Sequence, residues 1–112
     1  MFPQPLSDHL RRYGIVPVIV LNDAQNAVPL ARALVAGGLP TIEITFRTAA
    51  AEESIRRIRA EVPEMLVGAG TLITPAQVKT AIDAGAQFGV APGTNADIIK
   101  ACQDGGLPFA PG

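Results

Sequence analysis

An acid, a base and three hydroxyls fall within one short stretch, Thr41-Ile42-Glu43-Ile44-Thr45-Phe46-Arg47-Thr48. Apolar and polar residues alternate along it. In an extended strand that alternation sends Ile42, Ile44 and Phe46 to one face and Glu43, Thr45 and Arg47 to the other. A carboxylate can carry protons, and a guanidinium can hold a carboxylate or phosphate with two parallel donors. A second stretch, Gly68-Ala69-Gly70-Thr71, adds glycines that let backbone approach a ligand, then a hydroxyl. Glu43 is therefore the candidate acid/base, and Arg47 with Thr71 the candidate anion clamp. The same letters also fit an edge strand with a wet outer face and an ordinary glycine turn, and alternation alone does not separate these readings.

The other chemically capable side chains are less well placed. Lys79 and Lys100 each stand four residues before an aspartate, Asp83 and Asp104, on helical patterns. That spacing expects solvated surface ion pairs rather than an amine poised for nucleophilic attack. Cys102 falls on an apolar helix face as a small filler. His9 falls on the opening helix as a surface residue. One cysteine and one histidine leave no disulfide within the chain and no cysteine or histidine zinc cluster. No metal or cofactor is expected.

Positioning these residues falls to a repeated strand–helix unit. Pro5 to Tyr13 reads as a lead-in helix ended by Gly14. Strands are expected at Ile15–Leu21, Thr41–Phe46, Met65–Ala69, Gln87–Ala91 and Leu107–Ala110. Helices are expected between them: from a cap at Asn22 or Asp23 to Ala36, from Ala49 to Glu61, from Pro75 to Ala84, and from Asn95 to Gly105. Thr74-Pro75 marks a helix start, a capping residue followed by the one helical position that suits proline. Glu52 and Glu53 stand four residues before Arg56 and Arg57, on the wet side of their helix. Glycines after Ala36, Ala84 and Asp104 close a helix and launch the next strand.

Strands that alternate with helices make a parallel sheet. Right-handed crossovers lay the strands side by side in chain order. A doubly wound sheet buries both faces and reads as continuous apolar runs. Here one face of the second strand is polar, which fits a barrel strand lining a site. The expected fold is thus α/β, a partial (β/α)8 TIM barrel of about five βα units. A closed barrel takes eight strands and about 250 residues, and this chain has 112. The expectation is that residues 1–112 are the N-terminal portion of one barrel domain, either continued in a longer protein or completed by a partner.

Composition limits the partners. The chain is 48% hydrophobic, 4% aromatic and carries a net charge of −1. No basic field exists for nucleic acid. No apolar run approaches a membrane span, and Met1 to Pro5 lacks the charged start of a secretory signal. The expected partner is a small molecule, and the expected location is the cytoplasm.

Taken in order, Val16-Pro17-Val18-Ile19-Val20, Ala33-Leu34-Val35-Ala36-Gly37-Gly38, Glu43-Ile44-Thr45-Phe46-Arg47-Thr48, Val67-Gly68-Ala69-Gly70-Thr71, Gly85-Ala86-Gln87-Phe88 and Pro92-Gly93 resemble the N-terminal half of the 2-keto-3-deoxy-6-phosphogluconate (KDPG/KHG) aldolase family. The resemblance implies a trimeric barrel and a class I aldolase. Such an enzyme cleaves the keto-deoxy sugar acid phosphate to pyruvate and glyceraldehyde 3-phosphate through a lysine imine. It further implies that Glu43 is the general acid/base, acting through a water, and that Arg47 and Thr71 hold the pyruvate carboxylate. The imine-forming lysine and the phosphate-binding glycine loops of the family belong to the other half. Two other readings of the chain are a half-barrel without catalysis, built for assembly or for binding small carboxylates, and a different barrel enzyme.

Overall fold

Five parallel strands, laid side by side in chain order, make the floor on which the polar stretch sits. The structure is a computed structural model and describes residues 2–112. Helix α1 (Gln4–Tyr13) leads into β1 (Val18–Ile19); a 3-10 turn (Ala24–Asn26) feeds α2 (Ala27–Ala36). Then follow β2 (Thr41–Thr45), α3 (Ala51–Glu61), β3 (Leu66–Gly70), α4 (Pro75–Ala84), β4 (Phe88–Val90), α5 (Ala96–Gly105) and β5 (Phe109–Ala110). Each strand–helix–strand crossover returns the chain to a parallel neighbour, so the helices collect on one face of the sheet.

That helix-bearing face holds the core. Ile42 and Ile44 of β2, Val67 and Ala69 of β3, Ile55 and Ile58 of α3, and Val78 and Ala81 of α4 are all buried in one cluster. Burying an aliphatic side chain of this size removes it from water at a gain of about 1.5–3 kcal/mol. The alternation of β2 therefore decides its orientation, since turning it over would bury Glu43 among these aliphatics.

Helix ends are fixed by their own residues. The Thr74 hydroxyl accepts from the Gln77 amide at 3.1 Å, and the Gln77 side-chain oxygen accepts from the Thr74 amide at 3.2 Å. This reciprocal box satisfies two amides that a helix start leaves unpaired. At the other end of α4, Gly85 has φ +100°, a left-handed turn that a side chain would strain.

Several expected boundaries shift. The first strand pairs only over Val18–Ile19 rather than Ile15–Leu21. It has a single neighbour, and Pro17 has no N–H to donate, although its carbonyl accepts from the Glu43 amide at 2.9 Å. The third strand runs to Gly70, one residue further than expected. The last two are shorter, because Gln87 and Leu107 lie before the ladder begins. Helix α3 starts at Ala51 rather than Ala49, because Thr48 to Ala50 form the turn that leaves β2.

His9 also departs from expectation. It is half-buried, with Nε2 2.8 Å from the Thr41 hydroxyl and its ring against Tyr13. Thr41 begins β2, so this bond ties α1 to the N-terminal end of the sheet. At the opposite end, β2 and β3 finish in the turns that carry Arg47 and Thr71.

Candidate functional site

Across the helix-free face runs an in-register row: Val18, Glu43, Gly68 and Phe88. Residues in register on parallel strands share a face. Phe88 lies across Gly68, so that its ring fills the space a side chain there would take. Phe2 meets it edge-on at 5.9 Å between ring centres. This aromatic layer closes the lower part of the face.

The Glu43 carboxyl reaches one layer higher than its own row. The register partner of Glu43 is Gly68, yet its carboxyl reaches over Gly70, two residues nearer the C-terminal end of β3. The residue is 9% exposed. No ion pair or hydrogen bond among the described residues stabilises its charge, and burial pushes its pKa above the ordinary carboxylate value. The carboxyl is not sealed, however. No fully buried side-chain oxygen among the described residues lacks a partner, so the unpartnered oxygens of Glu43 must reach the open face. A desolvated, unpaired, reachable carboxyl holds a proton more readily than a solvated one, so it can take a proton up and return it.

Thr45 shares this face but has a different task. It is buried, and its hydroxyl donates to the Ile19 carbonyl at 2.9 Å. That bond clamps β2 to the short β1. The Thr48 hydroxyl donates in the same way to the Leu21 carbonyl. Two threonines thus hold β1, which its own ladder pairs over only two residues.

Arg47 lies beyond the last residue of β2, in the turn that leaves the strand, and is exposed. It is not on the strand face, because the extended backbone ends at Thr45. Among the described residues it makes no ion pair with Glu43, so its donors are open to an anion arriving at the strand ends. Phe46, beside it, packs partly buried against the core.

Thr71 follows directly on β3. Thr45 pairs with Gly70, and the Phe46 amide donates to the Gly70 carbonyl at 2.8 Å. The turns carrying Arg47 and Thr71 therefore leave adjacent strands at the same level. Thr71 has φ +59°, the one positive φ outside glycine among the described residues. A β-branched residue is strained in that region. Just downstream, the Gln77 side chain accepts from the Ile73 amide at 2.8 Å, which pins the loop carrying Thr71 to α4.

The lysines are spent elsewhere. Lys79 pairs with Asp83 at 2.5 Å and Lys100 with Asp104 at 2.6 Å, all on exposed helix surface. The hydrogen bond and charge of Asp104 raise the Lys100 pKa and keep it protonated. Cys102 is buried, and burial raises its thiol pKa. No group of three His, Cys, Asp or Glu among the described residues is arranged to hold a metal. No helix of the described residues is long and apolar enough to cross a membrane.

The structure brings Glu43, Arg47 and Thr71, the residues singled out from sequence, to the finishing ends of two adjacent strands, and it adds two features that sequence reasoning missed. One is the strained backbone of Thr71, which no letter signals. The other is the use of Gly70 as space for Glu43, for which a glycine inside a strand was the available sign.

Comparison with known proteins bears on this arrangement. The family model for KDPG and KHG aldolase matches residues 6–112. A KHG/KDPG aldolase of Escherichia coli K12 is 48% identical over 98 residues, which are 88% of this chain and 46% of that protein. A 2-dehydro-3-deoxy-phosphogluconate aldolase of Dickeya dadantii is 49% identical over 98 residues, again 88% of this chain and 46% of the relative. Among solved structures, the KDPG aldolase of Legionella pneumophila superposes with a TM-score of 0.88 at 37% identity. It covers 97% of this chain and 52% of its own, and it holds pyruvate captured at low pH as a covalent carbinolamine intermediate. The Zymomonas mobilis ZM4 enzyme, with 3-phosphoglycerate, gives a TM-score of 0.86 at 40% identity and covers 95% of this chain and 50% of its own. The chain spans about half the length of the curated relatives it matches.

Proposed function

Because the chain belongs to the KDPG and KHG aldolase family, we propose that it supplies the acid/base and carboxylate-binding half of a class I aldolase active site. The substrate class is a 2-keto-3-deoxy sugar acid phosphate, cleaved to pyruvate and glyceraldehyde 3-phosphate. Residues 1–112 are, in this reading, the N-terminal portion of a barrel domain. The observation that carries it is the unpaired, desolvated Glu43 on the open face, below the adjoining turns of Arg47 and Thr71.

The chemistry follows from those three side chains. An imine between a lysine and the keto carbon draws electrons out of the neighbouring bond. Glu43, through a water, takes the C4 hydroxyl proton as the C3–C4 bond breaks and the aldehyde leaves. The bond pair passes into the enamine, and Glu43 then returns a proton to C3. Water hydrolyses the imine and releases pyruvate. Arg47 and Thr71 hold the pyruvate carboxylate throughout, so that the reacting carbon does not drift. The carbinolamine captured in the Legionella relative supports an imine route. The lysine itself is not in this chain, whose two lysines are committed to surface pairs. The family resemblance also supports a homotrimer in the cytoplasm, with no cofactor, nucleic acid or membrane partner.

The test uses a full-length protein made by joining this chain to the second half of the E. coli relative. Glu43→Gln should lower turnover about 10²–10⁴-fold, the usual contribution of a positioned acid/base, with pyruvate still trapped by borohydride. Arg47→Ala should chiefly raise the KM for pyruvate-forming substrates. Unchanged turnover in Glu43→Gln would remove Glu43 from the mechanism.

A further inference from the structure

The dipeptide Gly70-Thr71 is reversed with respect to what its backbone needs. Gly70 is not among the positive-φ glycines, so its backbone suits any L-residue, whereas the next residue, Thr71, takes φ +59°, where glycine would be unstrained. Gly70 must therefore be glycine for a reason other than conformation. A Cβ built on Gly70 would overlap the Glu43 side chain at Oε2, Cδ and Cγ, and no other group comes as near.

We propose that Gly70 is a positioning residue whose missing side chain is the slot in which the Glu43 carboxyl lies. The glycine two residues earlier on the same strand bears this out by contrast: at Gly68 the same kind of space is filled by the Phe88 ring, so the two glycines of β3 seat two different side chains in successive layers. Any larger residue at position 70 drives the Glu43 carboxyl off the sheet. The atoms in the way are the movable end of a flexible side chain rather than backbone. The expected result of a substitution is thus a displaced carboxyl on an intact fold. This inference concerns where Glu43 sits and stands whether or not the protein is an aldolase.

The test reads the carboxyl directly, in the 112-residue chain, without turnover. Glutamate is labelled with carbon-13 at the carboxyl, the Glu43 signal is assigned with Glu43→Gln, and its titration is followed in the parent and in Gly70→Ala. The expected result is a fall of the Glu43 titration midpoint toward the ordinary glutamate range of about 4.3, because the displaced group gains water. An unchanged midpoint in a folded Gly70→Ala chain would overturn the proposal. If Gly70→Ala alone fails to fold, Glu43→Ala/Gly70→Ala decides the matter. A folded double variant sustains the proposal, since the group in the way is gone, and an unfolded one overturns it.

Discussion

A carboxyl held out of water with no cation beside it costs stability whenever it is charged. The Glu43 pKa is raised by burial, so the folded state binds its proton more tightly than the unfolded chain does. Its contribution is fully present below the unfolded value and is lost as pH rises through the folded one. At neutral pH Glu43→Gln should therefore unfold at higher denaturant than the parent, with the difference shrinking toward pH 4. Urea titrations at several pH values check the sign. Thr71 presents the same tension in its backbone. Thr71→Gly should gain stability of about 1 kcal/mol by releasing the strained φ, while the hydroxyl proposed to hold the substrate carboxylate is lost. Thermal unfolding reads the first, and the KM of a full-length protein reads the second. Both substitutions would improve the fold and harm the proposed site, a trade common at functional positions. The alternation of Ile42, Glu43, Ile44 and Thr45 made the two faces legible from sequence. The role of Thr45 was not legible, because its hydroxyl is used by a carbonyl of another strand 26 residues away.

Local signals carried the elements furthest where a side chain meets its own backbone. Thr74, Pro75 and Gln77 form the capping box of α4, and the Glu52–Arg56 and Glu53–Arg57 pairs of α3 close at 2.8 and 3.0 Å. Strand ends were less legible. An apolar run such as Ile15 to Leu21 continues past the point where a partner strand exists to bond it, so its hydrogen-bonded length depends on β2 rather than on itself. The cap of α4 also bears on the site. Removing the Thr74 hydroxyl with Thr74→Ala should cost about 1 kcal/mol and leave the Gln77 backbone amide without its acceptor, loosening the first turn of α4 whose Gln77 side chain holds the Ile73 amide. Faster hydrogen exchange at Ile73, with little change at α3, is the expected reading.

At the scale of the whole molecule, the five-stranded sheet ends in two unpaired edges, β1 and β5. Val18 on β1 is 59% exposed, and Val20 and Ile15 nearby are exposed as well. Such an edge invites pairing with another chain, so light scattering of the 112-residue chain should show mass rising with concentration. Pyruvate and borohydride should leave its intact mass unchanged, since Lys79 and Lys100 are salt-bridged on the surface. The sequence showed the parallel order of the strands because each crossover is local. What covers the edges and the open face is a matter of contacts between distant segments, which spacing does not record.

The central claim is that Glu43 moves the protons while the imine nitrogen comes from outside these residues. Exchange of the pyruvate methyl protons with deuterated water tests it most directly, because exchange needs both an imine and a base. Proton NMR of pyruvate with the joined full-length protein should show rapid loss of the methyl signal. With Glu43→Gln the loss should slow about 10²–10⁴-fold, although borohydride still traps one pyruvate per chain. Exchange at the parent rate in Glu43→Gln, with the imine intact, would contradict the account.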